Sequence, residues 1–310
     1  MLHRGARVAV VAPAGMPSMP DMEAGAALLE AWGYVPVLGP NLRAQHRYLA
    51  GTAEERGADL RWALTSPDVD AVYVARGGYG CVHLLPGIPW AEVVPGRMVV
   101  GFSDVTALLL ALHQRTQAVA VHAPTLGYLA TKSDAATREA VREVLAGGRE
   151  TVLRGEVRAE VRGGGTEGVE GPVLGGNLCV LASLAGTRWR LQAEGALLVL
   201  EDVNEAPYRL DRMVVQLVES GALSGVRAVL LGEFVGCAAP AEAGWTLEEL
   251  LVDLMAPLGV PIVTGVGVGH GPRNLPFFYG GQGLLEGGVL RVGRVLEAEG
   301  ARRPATFAPA

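Results

Sequence analysis

The stretch 99–108, VVGFSDVTAL, passes from β-branched residues through Gly101 and Ser103 into a segment of helical character. A serine placed where a strand turns sharply into a helix lifts its hydroxyl above the sheet, and the N–H groups at the helix start face a reacting carbonyl. The chemistry this suggests is acyl transfer. Serine is also a common helix cap, and Val105 stands where such an elbow usually carries a second glycine, so capping is the competing reading. The loop Arg76-Gly77-Gly78-Tyr79-Gly80 follows an apolar run ending at Ala75. Its glycines let backbone amides approach a developing negative charge closely, and a simple tight turn is the plain alternative.

A serine hydroxyl needs a base within hydrogen-bond reach, and the base needs an acceptor that orients it. Of six histidines, His270 alone is flanked by glycines directly after an apolar run, in VGVGHGPRN. His3, His46, His83, His113 and His122 lie at the terminus, in a loop or on helix and strand flanks, and read as structural or exposed. Glu201 ends the apolar run LLVLE, where a carboxylate is tolerated only when paired or hydrogen-bonded. Glu205, four residues on, is its rival as acceptor, and can equally cap a helix or pair with Arg209. Ser, Glu and His then follow the chain order of many α/β hydrolases. There is no H-E-x-x-H or C-x-x-C, and Cys81, Cys179 and Cys237 are widely spaced. They read as small buried hydrophobes of a reducing compartment, and no metal is expected.

The elements that must position these groups are legible in the pattern. The 310 residues are half hydrophobic and 5% aromatic, so the core must be built from Val, Leu and Ala. With 26 basic against 32 acidic residues the formal charge is −6, which removes the drive expected of a nucleic-acid binder. The apolar run near the start is broken at Pro13 and reads as a strand rather than a signal sequence. No run reaches the length of a membrane span, so a cytoplasmic protein is expected. Strands at 7–12, 69–75, 97–102 and 118–122 alternate with helices at 22–32, 52–64 and 104–113, the second opened by a Thr52–Glu55 capping box. That alternation predicts α/β architecture, with a parallel sheet in an N-terminal domain, 1–130, carrying Ser103. Residues 131–170 read as a linker: a polar helix at 133–145, an extended stretch at 151–161 and a glycine run at 163–165 that no G-K-[S/T] follows. A smaller, β-rich α/β domain, 171–310, carries Glu201 and His270. It has strands at 196–200, 226–234 and 261–268, helices at 208–223 and 246–258, and short antiparallel strands at 280–296.

VVAPAG (10–15), ARGGYG (75–80), GFSDVTAL (101–108), GPVLGGNL (171–178), LVLEDVNEAPYRLDRM (198–213) and GVGHG (267–271) span nearly the whole chain. As a set they resemble the LD-carboxypeptidase family of murein tetrapeptide carboxypeptidases, serine peptidases that include the microcin self-immunity proteins. The resemblance implies a Ser103–His270–Glu201 triad and an oxyanion hole from the backbone N–H groups of Gly78 and Asp104. It implies an N-terminal domain like that of class I glutamine amidotransferases, a site between the two domains, and no cofactor. It further implies a cytoplasmic homodimer that removes terminal D-alanine from murein tetrapeptides. One departure stands out: His122-Ala123-Pro124 replaces the family's frequent His-Gly-Pro. An exopeptidase must also hold a carboxylate, which a guanidinium fork suits; Arg76 is the first candidate, Arg209 and Arg212 the others. Asn177 is a candidate for binding the peptide backbone, or caps the helix that follows. Two other readings stay open. One is a self-immunity hydrolase of peptidyl-nucleotide antibiotics, with Trp189 or Trp245 against the base; the other is a non-catalytic binder of cell-wall peptides.

Overall fold

The computed structural model describes residues 2–159 and 168–294. The glycine run 163–165, Val161 and the last residues of the expected strand region lie outside them. Five apolar runs, β1 (Arg7–Val11), β2 (Val35–Leu38), β3 (Ala71–Val74), β4 (Met98–Gly101) and β5 (Val119–His122), pair in parallel in the order 2-1-3-4-5. The central β3 and β4 are buried on both faces, which is why they read as unbroken hydrophobic runs. Edge strand β2 was not expected from the sequence because it contains Pro36, which a sheet tolerates only at its edge. Around the sheet lie α1 (Met19–Ala31), α2 (Ala53–Thr65), α3 (Cys81–Leu84), α4 (Thr106–Arg115), α5 (Leu126–Thr131) and α6 (Ala135–Leu145). Helix α1 starts three residues before the expected Met22, because the Ser18 hydroxyl accepts the Asp21 N–H and Pro20 suits the first turn. The capping box of α2 forms as read. Strand order reverses between β1 and β3, and in a doubly wound sheet the crevice outside the carboxyl ends at that point is where ligands bind.

The second sheet contains β6 (Glu150–Arg154), β7 (Glu156–Ala159), β8 (Val169–Asn177), β9 (Leu197–Val203), β10 (Ala228–Val235) and β11 (Ile262–Thr264). Next in the chain, β12 (Phe277–Phe278) crosses back to pair antiparallel with β5 of the first sheet. The hairpin β13 (Gln282–Glu286) and β14 (Val289–Gly293) then completes the second sheet, in the order 6-14-13-8-9-10-11-7. Its middle strands, β8 to β11, are parallel and the flanks antiparallel. Residues 150–159, expected in a linker, are therefore integral strands. Their burial alternates, with Thr151 and Leu153 inside and Glu150 and Arg154 outside. Only Gly155 separates β6 from β7, yet they occupy opposite edges, so the sheet must curl until those edges meet. Strand β11 ends short of the expected 268 because Gly265 turns the chain at φ +71°. Helices α7 (Leu178–Leu184), α8 (Pro207–Glu219) and α9 (Leu247–Met255) accompany this half, the last with its own Thr246–Glu249 capping box.

Candidate active site

Strand β4 delivers the chain to the carboxyl edge of the first sheet, where Phe102 is still extended and Ser103 turns at φ +64°. A left-handed non-glycine residue costs on the order of 1–3 kcal/mol and persists only where its surroundings impose it. Ser103 opens a single 3₁₀ turn that runs into α4, and neither helical segment is capped by a side chain. The hydroxyl instead lies 3.1 Å from His270 Nε2. Val105 packs against the strand so closely that a Cβ on Gly101 would come within 2.8 Å of it. The glycine this elbow needs is therefore the one before Ser103.

His270 Nδ1 is 2.6 Å from Glu201 Oε2, and Glu201 is fully buried at the end of β9. A carboxylate only accepts, so Nδ1 carries the proton and the Nε2 lone pair faces the serine hydroxyl. The turn that bears His270 is fastened on several sides. The Tyr128 hydroxyl donates to the His270 carbonyl, and Gly269 N–H to Asn274 Oδ1 at 3.2 Å. Asp134 pairs with Arg273 at 2.5 Å, and its N–H donates to the Pro272 carbonyl. A Cβ on Gly271 would collide with Glu233, which explains that glycine of the GHG motif. Burial raises the pKa of Glu233. Nearby His122 is buried, with no hydrogen-bond partner for either ring nitrogen among the described residues; it stacks on Phe277 and is held neutral by burial with its pKa lowered to about 3. The following Ala123 is buried and lies outside the left-handed region, so the departure from His-Gly-Pro is accommodated without strain.

The glycine loop after β3 lies directly against the elbow. A Cβ on Gly77 would sit 2.9 Å from Ser103 Cβ and 3.1 Å from its Oγ, so only glycine fits. Gly78 follows at φ +110°. The Asp104 side chain accepts the Cys81 N–H at 2.8 Å, tying the elbow to the end of this loop. Below it, buried Arg56 donates to the carbonyls of Pro13, Gly51 and Gly80. Burial lowers the pKa of Arg56, an effect that Cys81 and Asp104 oppose. Gly78 thus continues the loop next to the serine. Asp104 lies in the first helical turn, whose N–H groups have no partner within the helix. An amide pair in this arrangement can face an oxyanion.

The other candidates separate. Arg76 is exposed, donates to the Met16 carbonyl at 2.7 Å, and lines a cavity beside the glycine loop. Asn177 is 5% exposed and serves the fold: Oδ1 accepts the Val180 N–H as cap of α7, and Nδ2 donates to Asp202. Both ends of its amide are engaged, so the expected contact with substrate gives way to capping. Glu205 lies beyond β9, 3.5 Å from Arg209, and its N–H donates to Cys237 Sγ. Arg212 stacks over Tyr208. Trp189 is buried against Trp90, with the guanidiniums of Arg115 and Arg188 over its ring, while Trp245 is exposed just before α9. The three cysteines are free. Among the described residues no cluster of three or more His, Cys, Asp or Glu could hold a metal, and no helix is long and apolar enough to cross a membrane. Tyr128, Arg56 and Glu233 escaped the sequence reading. Each works through contacts with distant parts of the chain, and none stands in a motif that announces it.

Comparison with known proteins adds an independent line. The family model described as LD-carboxypeptidase N-terminal domain matches residues 8–123, and that described as LD-carboxypeptidase C-terminal domain matches residues 170–285. The chain is 39% identical over 297 residues to the murein tetrapeptide carboxypeptidase of Pseudomonas aeruginosa, covering 92% of this chain and 94% of that protein. It is 34% identical over 277 residues to a probable murein peptide carboxypeptidase of Bacillus subtilis, covering 87% and 85%. The crystal structure of a muramoyltetrapeptide carboxypeptidase from Oxalobacter formigenes superposes with a TM-score of 0.82 at 31% identity, covering 93% of this chain and 99% of that one. The microcin C7 self immunity protein MccF shares the fold, with a TM-score of 0.83 at 18% identity and coverage of 95% and 97%.

Proposed function

The chain belongs to the LD-carboxypeptidase family, and on that footing we propose that it is the serine carboxypeptidase that cleaves terminal D-alanine from murein tetrapeptides at the L,D-peptide bond. Ser103 Oγ attacks the carbonyl carbon at the L-configured centre of the diamino acid while His270 Nε2 takes the hydroxyl proton. The C–N bond then breaks as that proton passes to the D-alanine nitrogen, leaving the peptide as an ester on Ser103. Water, deprotonated by His270, cleaves the ester and restores the serine. Glu201 holds the Nδ1–H tautomer and faces the imidazolium charge. The N–H groups of Gly78 and Asp104 receive the oxyanion, where one such donor is worth about 3 to 4 kcal/mol. Arg76 supplies the guanidinium for a substrate carboxylate.

The observation that carries this reading is the unbroken hydrogen-bond chain from Ser103 through His270 to buried Glu201. A non-catalytic binder of wall peptides has no need of a left-handed serine in that chain. A peptidyl-nucleotide substrate finds less support, since Trp189 is buried in a packing role and the exposed Trp245 stands just before α9, on neither the elbow nor the glycine loop. The recycling of recovered wall peptides fits the names of the relatives, while the cytoplasmic setting and the homodimer rest on the family resemblance alone. Incubating the protein with L-Ala-γ-D-Glu-meso-diaminopimelate-D-Ala tests the reading by mass spectrometry. D-Alanine release is expected, with the diastereomer ending in L-alanine left intact. An untouched D-alanine tetrapeptide would overturn it.

A further inference from the structure

Residues 77–80 of the loop that bears Gly78 are three glycines and one exposed tyrosine, so the loop's own side chains cannot hold it. An amide donor stabilises an oxyanion only when it is aimed and fixed beforehand, and here the fixing must come from outside the loop. At the near end the Gly15 N–H donates to the Gly77 carbonyl at 2.9 Å. At the far end two buried side chains take hold. Arg56, on α2, donates from Nη1 to the Gly80 carbonyl at 3.0 Å, and the same guanidinium reaches the carbonyls of Pro13 after β1 and Gly51 before α2. The Asp104 carboxylate accepts the Cys81 N–H at 2.8 Å. Arg56 is 2% and Asp104 3% exposed. Among the described residues no carboxylate forms an ion pair with Arg56, so its charge rests on main-chain carbonyls and on the field of the more distant Asp104. A hydrophobic side chain of similar volume would fill that space without burying a charge, so packing alone does not explain the arginine. What it adds is a rigid fork that fixes three chain turns relative to one another.

Asp104 joins the two halves of the hole. Its N–H is one of the two donors assigned to the oxyanion, and its carboxylate grips the end of the loop that bears the other. We propose that Arg56 and the Asp104 side chain are positioning residues of the oxyanion hole: together they set the spacing of the Gly78 and Asp104 amides, and neither side chain touches the substrate. The inference rests on the serine-hydrolase reading of the site.

Asp104→Ala should lower kcat for the D-alanine tetrapeptide by about 10²-fold with KM close to wild type, as expected when support is lost only in the transition state. Asp104→Asn keeps an oxygen that accepts the Cys81 N–H and should stay within about tenfold of wild type. Arg56→Lys keeps the charge without the fork, should lose about tenfold in kcat at constant KM, and carries the test if Asp104→Ala does not fold. A fluorophosphonate that phosphonylates Ser103 reads the same property without peptide turnover, because its phosphoryl oxygen takes the oxyanion's place. Labelling should slow in each variant by the factor seen in kcat, while calorimetry should give the tripeptide product its wild-type Kd. Product binding weakened as much as labelling would show a general loosening of the site, and labelling at the wild-type rate would show that the ties do not reach the hole. Asp104→Asn as slow as Asp104→Ala would show that the bond to Cys81 is not what matters. Each of these results overturns the proposal, as does a wild type that resists labelling at Ser103. If the wild type were labelled but cleaved no tetrapeptide, the carboxypeptidase reading would fall, while the labelling rates would still decide the positioning.

Discussion

Ser103 at φ +64°, with its hydroxyl on His270 rather than on a helix terminus, is a local strain that a mere cap has no reason to carry. Ser103→Ala should therefore lower kcat by about 10⁴-fold or more in a D-alanine release assay, since members of such a triad act as a unit. Glu201→Gln, which disturbs the imidazole tautomer, should cost about 10⁴-fold. Glu205→Gln should stay within about threefold of wild type, because Glu205 faces Arg209 instead of His270. A large loss in Glu205→Gln with an active Glu201→Gln would reverse that assignment. Ser103 and His270 were legible because glycines mark places where the chain turns sharply. The choice between the two glutamates was not, since they lie four residues apart in one motif. Strand register decides it: Glu201 still belongs to β9, opposite Asn177, and Glu205 has left the strand.

At the scale of elements, the site is a junction of two chain turns, the elbow after β4 and the glycine loop after β3. Gly77→Ala forces a methyl group against Ser103, so kcat should fall by about 10²-fold with KM little changed, as expected for a misplaced oxyanion donor, while the thermal midpoint falls modestly from the clash. Unchanged kcat would mean that the loop does not meet the reacting carbonyl. Those elements were readable because short buried strands and Thr–Glu capping boxes are local signals, and both boxes form. Strands β6 and β7 read as a linker from the sequence because their partners, β14 and β11, lie about 140 and about 105 residues further along the chain. Local pattern can show that such a stretch is extended; it cannot show what it pairs with.

At the scale of the molecule, the triad is assembled from both sheets, so catalysis depends on how they are joined. The Asn177 N–H donates to Thr106 Oγ1 on the elbow helix at 3.1 Å, and Asp202 holds the Asn177 side chain and the Cys179 N–H. Burial outweighs these hydrogen bonds and lifts the Asp202 carboxyl from 3.8 to about 6. A carboxyl raised in the folded state binds its proton more tightly there than when unfolded. Its contribution is full below 3.8 and is lost as pH rises through about 6, a difference on the order of 3 kcal/mol. Urea unfolding should show wild type gaining about 1 kcal/mol relative to Asp202→Asn between pH 7.5 and pH 5; parallel pH profiles would show that Asp202 is not the titrating group. The central claim, that an acyl group passes through Ser103, is tested most directly by rapid acid quenching during turnover of the D-alanine tetrapeptide, followed by peptide mapping. The account predicts the tripeptide acyl group esterified to Ser103 in the wild type and absent from Ser103→Ala. Turnover that persists in Ser103→Ala, or an acyl group found on another residue, would contradict it.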